Sequence, residues 1–459
     1  MLSRLKKFLP KARRANKALI IPREDHSISR RDISQGALKI MRRLNDAGHE
    51  GYLVGGGVRD LLLGGAPKDF DIATDATPEQ VKHLFRGSRI IGRRFRIVHV
   101  RMGREIIEVT TFRAHHDSVD QNSSTHKRQA SRSDQGMLLR DNVYGDLKSD
   151  AARRDFTINA LYYTIDGFAI HDYAGGVKDI ERRVIRMIGD PATRYQEDPV
   201  RMLRAVRFAA KLGFAIEPET AKPIPELAEM LGHVPAARLF EEVLKLFMAG
   251  SATATFHQLR DFGLLAYLFP GTDACLRDGD LLGQRLIEQA MLNTDKRIRN
   301  KLRVTPAFIY AALLWPVVVK IQAKLEARGM SAQDAAQQAA QEAVSQQLQH
   351  TSLPKRFLIP MREIWDLQAR LPRRQGKRAE RLLEHPRFRA AYDFVLLREE
   401  AGEDLDSLGN WWTRYQDGDD DQRRELVAGL ERNDKPGGGK PRRRRRRKKP
   451  ADAGAPPTS

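Results

Sequence analysis

The sequence predicts an α/β head, a small mixed sheet with helices, followed by an all-α neck and body and a basic tail expected to be disordered. Three observations predict it. Short β-rich runs alternate with helical ones up to about residue 175, and helical periodicity dominates from about residue 190 to 415. The last stretch, KPGGGKPRRRRRRKKPADAGAPPTS, is low-complexity and too charged to bury a core. The expected divisions are a mobile basic arm at 1–35, the α/β head at 36–175, a neck at 176–265, a body at 266–415 and a tail at 416–459.

Within the head, Leu38, Ile40, Met41 and Leu44 recur at helix spacing before Gly48 stops them. YLVGG, FDIAT, RIVHV, EIIEVTTF and ALYYTI read as strands. The 113–136 stretch is rich in Ser, Gln, Asp and Arg, which predicts a long surface loop. His115, His116 and Asp117 lie in it as solvated residues rather than a metal site. Further on, PVRMLRAVRFAAKL, EEVLKLFMAG, QDAAQQAAQEAVSQQLQ and REIWDLQARL are helical. ALLWPVVVK, Ala312 to Lys320, is the most apolar run, but it is short and holds Pro316, so a buried helix accounts for it better than a membrane span.

The 459 residues allow two or three domains. A net charge of +21 and a pI near 10.1 point to a polyanion, with nucleic acid the better choice over an anionic membrane. Cys275 is the single cysteine, which excludes an internal disulfide and makes zinc a poor expectation. No secretory signal is evident, and a cytoplasmic protein is expected.

The strongest chemical signal is VGGGVRDLLLGGAPKDFDIATDATPEQ, residues 54–80. An apolar strand runs into Gly55, Gly56 and Gly57, which allow a tight turn and close backbone approach to a ligand. A helix follows at once, and its exposed amides suit phosphate. Strand alternation puts Asp69 and Asp71 on one face and turns Phe70 into the core. Two such carboxylates repel unless a divalent cation lies between them. Two metals roughly 3.5 to 4 Å apart suit in-line displacement at a triphosphate. Thr77-Pro78-Glu79-Gln80 reads as a capped helix start.

GGGVRDLLLG followed by PKDFDIAT resembles the head signature of class II nucleotidyltransferases, which comprise bacterial poly(A) polymerases and CCA-adding enzymes. EIIEVTTFR with Glu108, RRDFTINAL from Arg153, and EDPVRMLRA from Glu197 follow in the expected order. The resemblance runs from about residue 35 to 400. It implies that Asp69 and Asp71 are metal-binding catalytic carboxylates and that Asp155 is a further active-site acid. Glu108 either completes the metal shell or serves as a cross-strand partner. Gly55, Gly56, Arg59, Asp60, Arg153, Arg154, Asn159, Asp198, Arg201, Arg204 and Arg207 are the expected nucleotide-binding set. Asp198 is read as the cap of a helix with Pro199 at its first position. Asp198 could accept from adenine and Arg201 donate to it. Arg204, Arg207 and Lys211 form a basic stripe for phosphates.

Ile90 to Val100 (IIGRRFRIVHV) resembles the polymerase branch. The basic arm and tail also suit a broad RNA substrate, since rows of cations bind phosphates without reading sequence. LPRRQGKRAERLLEHPRFRAAYDF, residues 371–394, offers either an RNA path with aromatic contacts or core packing for Phe388 and Tyr392. The expected activity is ATP-dependent, template-independent adenylation of RNA 3′ ends, in mRNA and small RNAs, with two Mg²⁺ or Mn²⁺ ions. The resemblance implies promotion of RNA decay, docking to decay machinery and action as a monomer. The alternatives are a CCA-adding tRNA nucleotidyltransferase and a non-catalytic RNA-binding scaffold.

Overall fold

The computed structural model describes residues 18–92, 96–114, 130–132, 138–141 and 143–433; side chains of 130–132, 138–141 and 431–433 are outside the description. Residues 93–95 of the IIGRRFRIVHV run, the His115, His116, Asp117 cluster and the arginine run of the tail therefore lie outside the described residues. The chain divides into two compact units, Met1–Met361 and Arg362–Ser459.

The first unit opens with β1 (Leu19–Ile21), α1 (Gln35–Asp46), β2 (Gly51–Val54), α2 (Gly56–Leu62), β3 (Asp71–Thr74), α3 (Pro78–Leu84), β4 (Ser88–Ile91), β5 (Ile97–Met102) and β6 (Glu105–Thr111). β7 (Ala130–Arg132), β8 (Leu138–Asp141), α4 (Leu147–Arg153), β9 (Leu161–Thr164) and β10 (Ile170–Asp172) complete the head. Eight strands form one sheet in the order β1-β10-β9-β2-β3-β6-β5-β4. Every pairing is antiparallel except β3 with β6, so the sheet is mixed as expected.

Sequence patterns explain the elements. Alternate β5 and β6 residues Val98, Val100, Ile107 and Val109 are buried, as the period of a strand with one core face demands. Ser34 caps α1 through the Ala37 N–H, and Gly36, Ala37, Leu38, Ile40, Met41 and Leu44 form its buried stripe. Thr77 and Gln80 make a reciprocal capping box, with Pro78 at the first turn of α3.

Two boundaries are corrected. The described part of the supposed arm is built into the head: β1 pairs with β10, and Ile28 and Ile33 are buried. Charge density masked a short LII edge strand there. In the expected 113–136 loop, Arg113 and Ala114 are buried, and β7 pairs with β8.

Beyond the head run α5 (Gly176–Glu181), α6 (Pro191–Glu197) and α7 (Val200–Leu212), then further helices including Ala236–Phe247, Pro306–Ala327 and Ala332–Gln347. Pro306–Ala327 is long and apolar enough to cross a membrane, but Ile309 to Val318 are buried inside the protein, as ALLWPVVVK suggested. In the second unit, Leu367, Phe388, Tyr392, Val395, Trp412 and Tyr415 pack into one core. Phe388 and Tyr392 are thus core residues, which withdraws the aromatic RNA path at those positions. The expected tail begins with a helix, Asp420–Asn433, which corrects the expectation of disorder there; residues 434–459 lie outside the described residues.

Candidate active site

The glycine turn forms where β2 meets α2. Gly55 takes φ +73°, a left-handed conformation that costs glycine little, and a Cβ there would lie 3.5 Å from Arg154 Nη1. α2 starts two residues earlier than VRDLLLG suggested and has only seven residues. So short a helix carries little dipole, and arginines are the main positive charge here.

β3 begins at Asp71, with Asp69 exposed in the extended segment before it. Phe70 is half-buried rather than a core residue, because it precedes the strand and rests near Gly57. In the parallel ladder Asp71 stands opposite Glu108. Burial first, then the charges of Glu108 and Asp69, push the Asp71 carboxyl up to about 6, against the opposing pull of Arg154. Glu108 Oε1 also meets His99 Nε2 at 3.2 Å, so it is both the acid facing Asp71 and a cross-strand partner.

Among the described residues, no group of three or more His, Cys, Asp or Glu side chains is placed to hold a metal ion by itself. The acids nonetheless fit one. They offer oxygen only, and their mutual repulsion is what a divalent cation relieves, with substrate oxygens completing its shell.

The RRD turn lies at the end of α4. Arg154 donates through Nε to the Tyr162 hydroxyl (2.8 Å) and through Nη2 to Asp150 Oδ2 (3.0 Å), while the Tyr162 hydroxyl donates to the same oxygen (2.7 Å). Arg194, on α6 and buried, donates through Nη2 to the carbonyls of Arg153 (2.5 Å) and Arg154 (2.8 Å). It thereby fixes the turn from below. Asp155 is buried, and both its oxygens are engaged: Oδ1 accepts from Phe156 N (2.8 Å) and Asn159 Nδ2 (3.2 Å), and Oδ2 from Arg204 Nε (2.7 Å). Burial alone would raise its carboxyl, but Arg204 and these donors hold it at about 2. Arg59 donates to Asn159 Oδ1 (2.5 Å) and to Asp60 Oδ1 (2.7 and 2.8 Å).

α7 corrects the cap assignment. Pro199 is its N-cap, and Asp198 ends the preceding α6. The Asp198 side chain instead accepts from Arg238 Nη2 on helix Ala236–Phe247 (2.8 Å). Arg201 donates to Glu197 Oε2 (3.0 Å) and to the Arg194 carbonyl (2.8 Å). The basic stripe is partly neutralised too, since Arg204 pairs with Asp155 and Lys211 lies 3.7 Å from Asp60. Met202, Ala205, Val206 and Ala209 are buried as the apolar side.

The structure thus gathers Arg59, Asp60, Asn159, Asp155 and Arg204 into one network, and Asp71 with Glu108 and Asp69 into another. Sequence reasoning missed Asp150, Tyr162, Arg194 and Arg238. Only a buried polar residue amid an apolar pattern could have signalled them, and TRYQED gives no such pattern.

The head is that of a nucleotidyltransferase. The family model for the Poly A polymerase head domain matches residues 51–186. Two others, for the probable RNA and SrmB-binding site of polymerase A and the polymerase A arginine-rich C-terminus, match 213–276 and 328–449. Poly(A) polymerase I of Salmonella typhimurium is 50% identical over 421 residues, 91% of this chain and 90% of that protein. The CCA-adding enzyme of Bacillus subtilis is 41% identical over 227 residues, 49% of this chain and 53% of that protein. The solved structure of the Bacillus stearothermophilus CCA-adding enzyme in complex with CTP aligns with TM-score 0.54 at 27% identity, covering 88% of this chain and 89% of that one.

The chain belongs to the poly(A) polymerase I family. It is an enzyme of template-independent polyadenylation, acting on RNA with ATP as substrate and using divalent metal.

Proposed function

We propose that the chain transfers AMP from ATP to RNA 3′ ends, releasing pyrophosphate, with two Mg²⁺ or Mn²⁺ ions held by Asp69, Asp71 and Glu108. The carrying observation is the crowding of Asp71 by Glu108 and Asp69, only partly offset by Arg154, beside a glycine turn. When bound, the cations supply Lewis-acid stabilisation of the attacking and leaving oxygens.

The remaining residues position the substrate. Arg154 stands over Gly55 with its head fixed by Tyr162 and Asp150, and Arg153 beside it belongs to a backbone turn clamped by Arg194. Both suit triphosphate oxygens, as guanidinium groups bind phosphate in a fixed fork. Asp155 acts by anchoring Arg204 and Asn159, and Asn159 in turn holds Arg59. Asp198 and Arg201 read adenine, each braced by a further residue, Arg238 and Glu197.

Residues 36–175 carry catalysis, 176–265 bind nucleotide and RNA, and 266–415 bind RNA. The chain works as a cytoplasmic monomer whose tailing promotes RNA turnover and engages decay machinery. The polymerase reading is favoured over CCA addition because similarity to the Salmonella typhimurium polymerase spans 91% of the chain, against 49% for the Bacillus subtilis CCA-adding enzyme.

Incubating the protein with an unstructured RNA and each of the four nucleoside triphosphates tests the reading. Long A-only tails are expected. Addition limited to C, C, A on tRNA would assign the other activity.

A further inference from the structure

Three arginines of the head and neck meet at one aromatic ring. The guanidinium carbons of Arg59, Arg204 and Arg207 lie 5.2, 5.4 and 4.8 Å from the centroid of Phe208 on α7. The ring is itself fixed, being buried and packed edge-on against Phe156 of the RRDFT segment at 5.8 Å. Arg59 comes from the glycine-turn helix and the other two from α7, so one phenyl group joins two elements of the proposed nucleotide site.

The three cations differ in their anionic partners. Arg59 is bonded to Asp60 and Arg204 to Asp155. The Arg207 side chain makes no hydrogen bond or ion pair among the described residues, and its Nε is buried without an acceptor. Burial first, and then repulsion from Arg204, depress its guanidinium from the usual value, with partial relief from Glu242 and Asp155. Three like charges around one ring repel, and an aromatic face is a group that can hold cations there without neutralising them. A carboxylate in its place would cancel the charge a polyanion needs. With Arg59 and Arg204 already matched by Asp60 and Asp155, the ring leaves Arg207 as the cation whose charge stays available while its position is fixed.

We propose that Phe208 is a positioning residue for the adenylation reaction, its π face holding Arg207, flanked by Arg59 and Arg204, as a receptor for the triphosphate of ATP. The inference rests on the reading that these arginines bind nucleotide, and it adds how the unpaired one is aimed and what part of the nucleotide it meets.

Replacing Phe208 by 4-fluoro-, 3,5-difluoro- and 3,4,5-trifluorophenylalanine tests it, because each fluorine drains the ring face while nearly preserving its shape. KM and kcat for ATP on an unstructured RNA, inhibition by tripolyphosphate and by adenosine, and the thermal midpoint are read for each. KM for ATP is expected to rise stepwise, reaching about fivefold to tenfold with three fluorines. Tripolyphosphate inhibition should weaken in parallel, while kcat, adenosine inhibition and the midpoint stay level. Phe208→Trp should restore a low KM relative to Phe208→Leu. Arg207→Ala separates the two layers. A flat fluorine series with a raised KM in Arg207→Ala overturns the role of Phe208 and leaves the nucleotide reading standing. An unchanged KM in Arg207→Ala overturns that reading and the inference with it.

Discussion

The acids at the start of β3 and the acid of the RRD turn lie in the same head but are treated oppositely. Asp71 faces Glu108 with too little positive charge nearby, and its carboxyl is pushed up to about 6. Asp155 is satisfied on both oxygens and held at about 2. A half-buried acid left among other acids is what an incoming cation would relieve, whereas one already matched with an arginine sets geometry. The two classes cannot be told apart by residue type. They differ in what the fold brings to them.

This contrast is broken most directly by paired substitutions. Asp71→Asn is expected to lower RNA extension by about a thousandfold, equivalent to about 4 kcal/mol of transition-state stabilisation. RNA binding should stay near that of the parent in a filter or anisotropy assay. Its thermal midpoint should hold or rise, since a repulsion is removed. Asp155→Asn should instead destabilise by about 3 kcal/mol or more in a urea titration, because it leaves Arg204 without its partner. If both variants behave alike in stability, the distinction between the two acids fails.

The raised Asp71 carboxyl gives a pH signature. Its folded value lies above the ordinary value of 3.8, so the folded protein holds the proton more tightly than the unfolded chain through the window from about 4 to about 6. This group's contribution therefore declines as pH rises through that window, on the order of 2 to 3 kcal/mol. Unfolding midpoints in EDTA and in Mn²⁺ at several pH values check it. Mn²⁺ should oppose the decline, since it binds the ionised form. The smallest effect concerns the tail: removing residues 436–459 should weaken RNA binding and reduce the slope of log affinity against log salt, with the rate of AMP addition at saturating RNA unchanged. An unaltered slope would exclude the tail as a phosphate contact.

How much was legible follows from the kind of information each feature needs. The mixed sheet was readable because its strands carry period-2 burial, as at Val98, Val100, Ile107 and Val109. The glycine turn was readable because its residues are contiguous, whereas the acid that stands opposite Asp71, Glu108, comes from a distant strand of the parallel ladder. The network that supports them was not readable, since Arg194 meets the carbonyls of Arg153 and Arg154 from 41 and 40 residues away. Arg238 reaches Asp198 across 40 residues. The Asp198 cap assignment failed for the same reason: a local cap motif lost its carboxylate to a distant guanidinium. The edge strand β1 was hidden by the basic composition around only three residues, LII.

Direct titration of Mn²⁺ by electron paramagnetic resonance into the parent, Asp71→Asn and Asp155→Asn, each first stripped with EDTA, tests the central assignment of the cation to the β3 acids. The account predicts strong loss of binding in Asp71→Asn and binding close to the parent's in folded Asp155→Asn. Retained Mn²⁺ in the first with loss in the second would place the ion at the RRD turn and contradict it.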